Sequence, residues 1–312
     1  MTGDQKLHAV IRQRFAALVF TMISTFMSSP AALADSSAHD LASYYDRHMA
    51  LEGGVAWVWV GGGTPQRARA GVVQVGVSQH AYFALLESGA LVTWTDAPEA
   101  ATTLMQGVAS FAAGQSGWFA IDRDRVLWYG SGSTAAPQRI AADVIAACIG
   151  DSADYYITQG GTLYARGLAH RGQYGDGLLA ATPGFVATAR DAVSVKAHTG
   201  HAIHLTRGGA VMGTGGNRFG PLSTHGLGDK ADRWGRIFDG VRAIATGSRH
   251  TVAIRTDGSL WAWGEGFGIA PRQLLGKVTA VAAGDTVTIA RTADGVLWQW
   301  DAGAGPRRLS LR

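Results

Sequence analysis

The sequence predicts an all-β fold, a β-propeller of seven blades, and three observations predict it. One hairpin-shaped pattern recurs seven times at nearly regular spacing, glycine outnumbers proline 43 to 8, and eight of the 10 tryptophans fall at one place in the repeat. With 47% hydrophobic and only 16% charged residues over 312 positions, the chain has the means to bury a large core and is not compositionally disordered. Abundant glycine suits tight turns between short strands rather than long helices.

The first 34 residues stand apart from the repeats. Lys6, Arg12 and Arg14 form a positive region, Phe15 to Met27 an apolar one, and Ala32-Leu33-Ala34 offers a small-x-small cleavage site before Asp35. This reads as a cleaved signal peptide; the alternative, an uncleaved anchor, needs about 20 apolar residues and the run is shorter. Removing three positive charges and one negative takes the formal net charge from +4 to +2. A mature domain over 35–312 is therefore mildly basic, with no run of five or more Lys/Arg to serve nucleic acid or a membrane surface. The single cysteine, Cys148, cannot close an internal disulfide.

The repeat unit is plainest at Gly247 to Gly264, GSRHTVAIRTDGSLWAWG. Asp257-Gly258 predicts a type I′ turn between two strand-like runs, His250 to Ile254 and Ser259 to Trp263. Matching positions recur at Ala56, Leu91, Leu127, Leu163, Val211, Leu260 and Leu297, with glycine two residues earlier in every unit but one, where Arg125 stands. An anchor glycine preceded by a short apolar strand lies further upstream, at Gly76, Gly114, Gly150, Gly247 and Gly284, with His198 in its place in one unit. Trp57/Trp59, Trp261/Trp263 and Trp298/Trp300 are spaced by two, which puts both rings on one face of a strand and makes them packing residues first.

This pattern, G-x-x-H-T-x-A-x-x-x-D-G-x-L-W-x-W-G, resembles the repeat of the regulator-of-chromosome-condensation family. The resemblance covers residues 40–312 and is closest around Gly247. It implies seven four-stranded blades, and it implies a ring closed by N- and C-terminal strands sharing one blade. Two units also retain the longer connection of that family, GLAHRGQYGDG at 167–177 and GGNRFGPLSTHGLG at 215–228.

Motifs for chemistry are sparse. The sequence holds no nucleophile elbow, zinc-protease helix, phosphate-binding loop or dinucleotide fingerprint, so no catalytic residue, metal or cofactor is expected. His198, His201 and His204 are the one tempting metal cluster, but a spacing of three puts neighbours on opposite faces of a strand. Because His201 aligns with His250 and His80, buried imidazoles bonded to turn carbonyls are expected instead. Cys148 reads as a buried, inert thiol, and Asp122 and Asp124 as turn residues rather than an acid pair.

Specificity then falls to the two long connections, which bring Arg171, Gln173, Tyr174, Asn217, Arg218, Phe219, Trp234 and Arg236 to adjacent blades. Arg, Tyr and Trp anchor protein interfaces, although these segments could also complete local blade packing. The expected function is a non-catalytic module, exported to the periplasm or beyond, monomeric, and binding another protein through one propeller face. The resemblance offers an exchange factor for a small GTPase, a bacterial effector imitating it, or a secreted β-lactamase inhibitor as alternatives. An enzyme with a site in the central channel is a further one, disfavoured because the inner strands AVAAG, SFAAG and AACIG are apolar or small.

Overall fold

The computed structural model describes residues 39–312 apart from Thr134, Gly226, Leu227 and Ala302, so the signal-peptide reading of residues 1–34 lies outside the described residues. Seven four-stranded antiparallel sheets occupy 41–70, 72–105, 108–141, 144–189, 192–238, 241–275 and 278–309, each a simple meander, and are numbered here as blades 1 to 7. The first strand of every blade touches the first strands of both its neighbours, and the last of these contacts, blade 7 to blade 1, makes the series circular. The first strands therefore line the centre of a seven-bladed propeller. Among the described residues no helix is long and apolar enough to cross a membrane.

Six third strands begin at the residues the repeat alignment marks, Leu91, Leu127, Leu163, Val211, Leu260 and Leu297; the remaining one begins at Val55, one residue early. The inner strands are apolar on both faces because each blade packs between two others. Seven buried clusters result, each shared by neighbouring blades; one joins Ile203, Val211 and Leu222 of blade 5 to Val241, Ile244 and Trp263 of blade 6. Within each tryptophan pair one ring is buried and one half-buried: Trp263 is fully buried beside Trp261, and Trp300 beside Trp298.

The hairpin turn differs from the type I′ expectation. Gly258 is left-handed (φ +81°) but Asp257 is not, and Gly258 N donates to Arg255 O at 2.9 Å. The loop thus ends in a glycine bulge, and a type I′ turn would need both residues at positive φ. Asp257 serves instead as an acceptor for Ser259 N at 2.8 Å. Arg125 holds the same left-handed place (φ +61°) without being glycine, at a cost of about 1–2 kcal/mol. Neighbouring Asp122 supports that turn by accepting from the backbone N–H groups of Asp124 and Val126, which is the turn role expected of these carboxylates.

The expectation of a shared terminal blade is corrected. Blade 1 is built wholly from 41–70 and blade 7 wholly from 278–309, so no sheet contains strands from both ends. Packing of whole sheets closes the ring instead. Leu41, Ala50 and Trp59 of blade 1 share one cluster with Ile289, Leu297 and Leu309 of blade 7, and Trp59 Nε1 donates to Gln299 Oε1 at 3.1 Å. Four strands already complete each end blade, so neither has a vacancy for a strand from the other. Close approach at the anchor glycines tightens the seams: a Cβ on Gly247 would lie 2.2 Å from Gly284 O, across the seam between blades 6 and 7. The outer strands are protected as edges by Arg67, Arg69, Arg139, Pro183, Pro271 and Arg272.

Candidate interaction face

Successive antiparallel strands reverse direction, so the first-to-second and third-to-fourth connections of every blade emerge on one face. The two long connections, 168–181 in blade 4 and 217–229 in blade 5, are both third-to-fourth connections of adjacent blades. They stand on this face together and are built rigidly. Tyr155 OH donates to Gln173 O at 2.7 Å, Tyr174 OH to Gly167 O at 2.6 Å, and Gly177 N to Asp232 O at 2.8 Å, which ties the blade 4 loop to the outer strand of blade 5. In the second loop Asn217 accepts from Leu222 N at 2.9 Å and donates to His225 O at 3.0 Å, while Pro221 O receives Trp263 Nε1 and Thr251 Oγ1 from blade 6.

These bonds sort the eight residues singled out by sequence. Gln173 and Tyr174 are buried, at 2% and 1% exposure, and Asn217 is spent on the loop's own backbone. Trp234 is half-buried, its ring edge-on to His204 at 4.5 Å and pressed over Gly175, where any side chain would collide. Arg236 sits near the far end of the outer strand, pairing with Asp239, and does not join the others. Arg171, Arg218 and Phe219 are exposed. Arg249 of blade 6, which the repeat alignment treats as filler, completes the group: its guanidinium lies 4.6 Å from the Phe219 ring and is held by Glu265 at 3.1 Å. Arg218 approaches the same ring at 5.9 Å. Among the described residues neither Arg171 nor Arg218 has an acidic partner.

At the centre of the same face the first-to-second turns converge. Tyr44 of blade 1 reaches across the ring, donating to Asp151 of blade 4 and stacking on His198 of blade 5 with ring centroids 4.9 Å apart. Thr199 Oγ1 donates to Asp151 Oδ2 at 2.9 Å, and Ser248 Oγ of blade 6 lies 3.1 Å from His198 Nδ1. Burial pushes the Asp151 carboxyl up, but the neighbouring His198 ring and the hydrogen bonds from Tyr44 and Thr199 outweigh it and hold the group below the ordinary carboxylate range. Burial, reinforced by that carboxylate, raises Tyr44 far above an ordinary phenol.

Asp, His and Ser in contact suggest a proton relay, and the geometry denies one. Ser248 and Asp151 both approach Nδ1, which also accepts from Thr199 N, whereas a relay needs hydroxyl and carboxylate on opposite ring nitrogens. On a neutral ring the proton then sits on Nε2, which is buried and has no partner among the described residues.

An RCC1 repeat family, described as Regulator of chromosome condensation (RCC1) repeat, matches residues 241–267, the heart of blade 6. Prp20p from Saccharomyces cerevisiae superposes with a TM-score of 0.69 at 16% identity, covering 80% of this chain and 81% of that one. The chain is a seven-bladed propeller of RCC1-like repeats. Yeast RCC1 (Prp20) in its crystal structure bound to Kap60 gives a TM-score of 0.67 at 16% identity over 78% and 77% of the two chains. The ectodomain of the Arabidopsis thaliana receptor kinase ACR4 gives 0.59 at 13% over 88% and 98%. No curated protein matches the sequence.

In this RCC1-like propeller the three histidines of HTGHAIH go to three surroundings. His198 joins the central cluster, His201 Nε2 lies 3.3 Å from Thr251 Oγ1 in the next blade, and His204 meets Trp234. His250 Nε2 likewise meets Thr288 Oγ1 at 2.9 Å, so the repeat histidines bond a neighbouring blade's threonine rather than the turn carbonyl expected. His80 is exposed and precedes the second strand of its blade, so it is not equivalent to them. Cys148 is buried beside Ala197 N, and burial pushes its thiol up to about 11. A signal that could have pointed to the central cluster is a polar residue just after the anchor position: Asp151, Thr199 and Ser248 follow Gly150, His198 and Gly247.

Proposed function

We propose that this RCC1-like propeller is an exported, non-catalytic binding module that takes another protein on the face carrying the two long connections. One observation carries the reading: Phe219 stands exposed with the guanidinium groups of Arg249 and Arg218 at 4.6 and 5.9 Å from its ring, on a loop that Asn217 braces through Leu222 N and His225 O. An aromatic beside an arginine already held by Glu265 forms the type of anchor that binds at a reduced ordering cost. The relatives of the same fold add support, since Prp20p is described with its binding to Gsp1p and histones and was crystallised with Kap60. A non-catalytic role is supported by the placement of Ser248 and Asp151 on one nitrogen of His198.

Two measurements test this. Affinity capture from periplasmic and host extracts, with an Arg218→Ala/Phe219→Ala variant alongside, is expected to retain a specific protein on the parent and at least tenfold less on the variant. Equal retention sinks the face. For export, mass spectrometry of protein recovered outside the cytoplasm is expected to place the mature terminus at Asp35; an intact Met1 there removes the export half of the proposal.

A further inference from the structure

Blades 4 and 5 fill the cleft toward their next neighbour with their own chain. The fourth residue of the third strand is Thr214 in blade 5 and Trp263 in blade 6. Each donates from its side chain to a carbonyl of the preceding blade's long connection, Thr214 Oγ1 to Gly172 O at 2.7 Å and Trp263 Nε1 to Pro221 O at 2.7 Å. Close to that carbonyl each connection sinks one large side chain between the two blades: Tyr174, at 1% exposure, and Leu222, at 0%.

Between blades 2 and 3 the corresponding connection is the short stretch 95–101, and the slot stands open. It is a cavity of about 450 Å³, with Phe83, Trp94 and Trp118 at its base and Thr93, Gln115 and Ser133 among its polar groups. The fourth residue of blade 3's third strand is Gly130, and the Trp118 ring lies where a Gly130 side chain would be, which builds an aromatic base in place of an interblade donor. Trp118 Nε1 is already committed to Gly132 O at 3.1 Å. Among the described residues lining the slot none is Asp, Glu, Lys or Arg.

We propose that this slot is a recognition pocket for an uncharged, apolar or aromatic side chain presented on a partner protein's loop, in the manner in which Tyr174 and Leu222 fill the matching slots of blades 4 and 5. The proposal rests on the protein-binding reading above. A charged side chain would lose its water here with no countercharge to meet, whereas a phenol or branched aliphatic group exchanges water for aromatic surface. The cavity is of the size at which small-molecule sites begin. It opens on the same face as Arg218 and Phe219, so one partner can engage both.

N-acetyl-tyrosinamide and N-acetyl-leucinamide are suitable probes, with N-acetyl-lysinamide as the charged control, observed by saturation-transfer NMR on the purified protein. Saturable binding of the tyrosine probe in the range of about 1 mM is expected, with the lysine probe at least tenfold weaker. Ala100→Trp and Ser133→Trp, two exposed positions on the slot, are each expected to abolish it while melting as the parent does; if one fails to fold, the other decides. Equal binding of the lysine probe, no saturation by either uncharged probe, or binding retained in the filled variant overturns the proposal. The Arg218→Ala/Phe219→Ala variant is expected to keep probe binding. Partner capture lost in that variant but untouched by the filled slot would sink the pocket as a partner site and leave the protein-binding reading standing.

Discussion

Trp263→Ala lowers stability by about 3–5 kcal/mol, the cost of emptying a fully buried aromatic site. Trp263 is 0% exposed, packs against Phe238 with ring centroids 5.3 Å apart, and belongs to the cluster that joins blades 5 and 6. At about 2–4 °C per kcal/mol, the melting temperature is expected to drop by roughly 10 °C. The same change removes one of the two donors to Pro221 O, leaving Thr251, so the loop that carries Arg218 and Phe219 loosens. Faster amide exchange over 217–223 is the local readout. Trp263→Phe keeps most of the buried area and loses the hydrogen bond, at about 1 kcal/mol. An alanine variant that melts with the parent would show that the ring does not wedge these blades together.

Acidification from pH 6.5 to 4.5 strongly destabilises the propeller. Burial, the first cause in each case, lowers His48, His204 and His250 to about 4 and His201 to about 3, against an ordinary histidine value of 6.5. The native state thus keeps these rings neutral where the unfolded chain binds protons. Their stabilising neutrality is fully present above pH 6.5 and is lost as pH falls through 6.5 toward 4, each histidine contributing on the order of 1 kcal/mol per pH unit in that window. Asp151, held below its ordinary value, adds loss of the same sign only at still lower pH. Urea midpoints measured from pH 7 to 4.5 are expected to fall steeply, and His201→Gln to flatten the slope by about one proton. A midpoint that stays level down to pH 5 would mean that these imidazoles are not sealed from solvent.

Much of the fold is legible in the chain because its signals are local. An aspartate or glycine at a turn acts through φ and through hydrogen bonds two residues away, as at Asp257 and Gly258, and so marks each hairpin from sequence alone. The proposed interaction face is legible in part. The two long connections are visible as insertions in the period, but burial separates Tyr174 and Gln173 from Arg218 and Phe219, and burial depends on where the next blade lies. His80 shows the same limit: it resembles His250 in the repeat, yet a shift in where the second strand begins leaves it exposed.

The sequence by itself determined seven units, the apolar strands within them, the glycines of their turns, and which two units carry long loops, since each of these follows from backbone preference and alternation over a few residues. Only the tertiary structure decided how the ring closes, with Trp59 bonded to Gln299 across 240 positions and Tyr44 to Asp151 across 107. It alone brought Arg249 to Phe219 and left a slot open beside Trp118. Those arrangements depend on contacts between blades, whose geometry is set by the packing of whole sheets around a closed circle and is written in no local stretch of the chain.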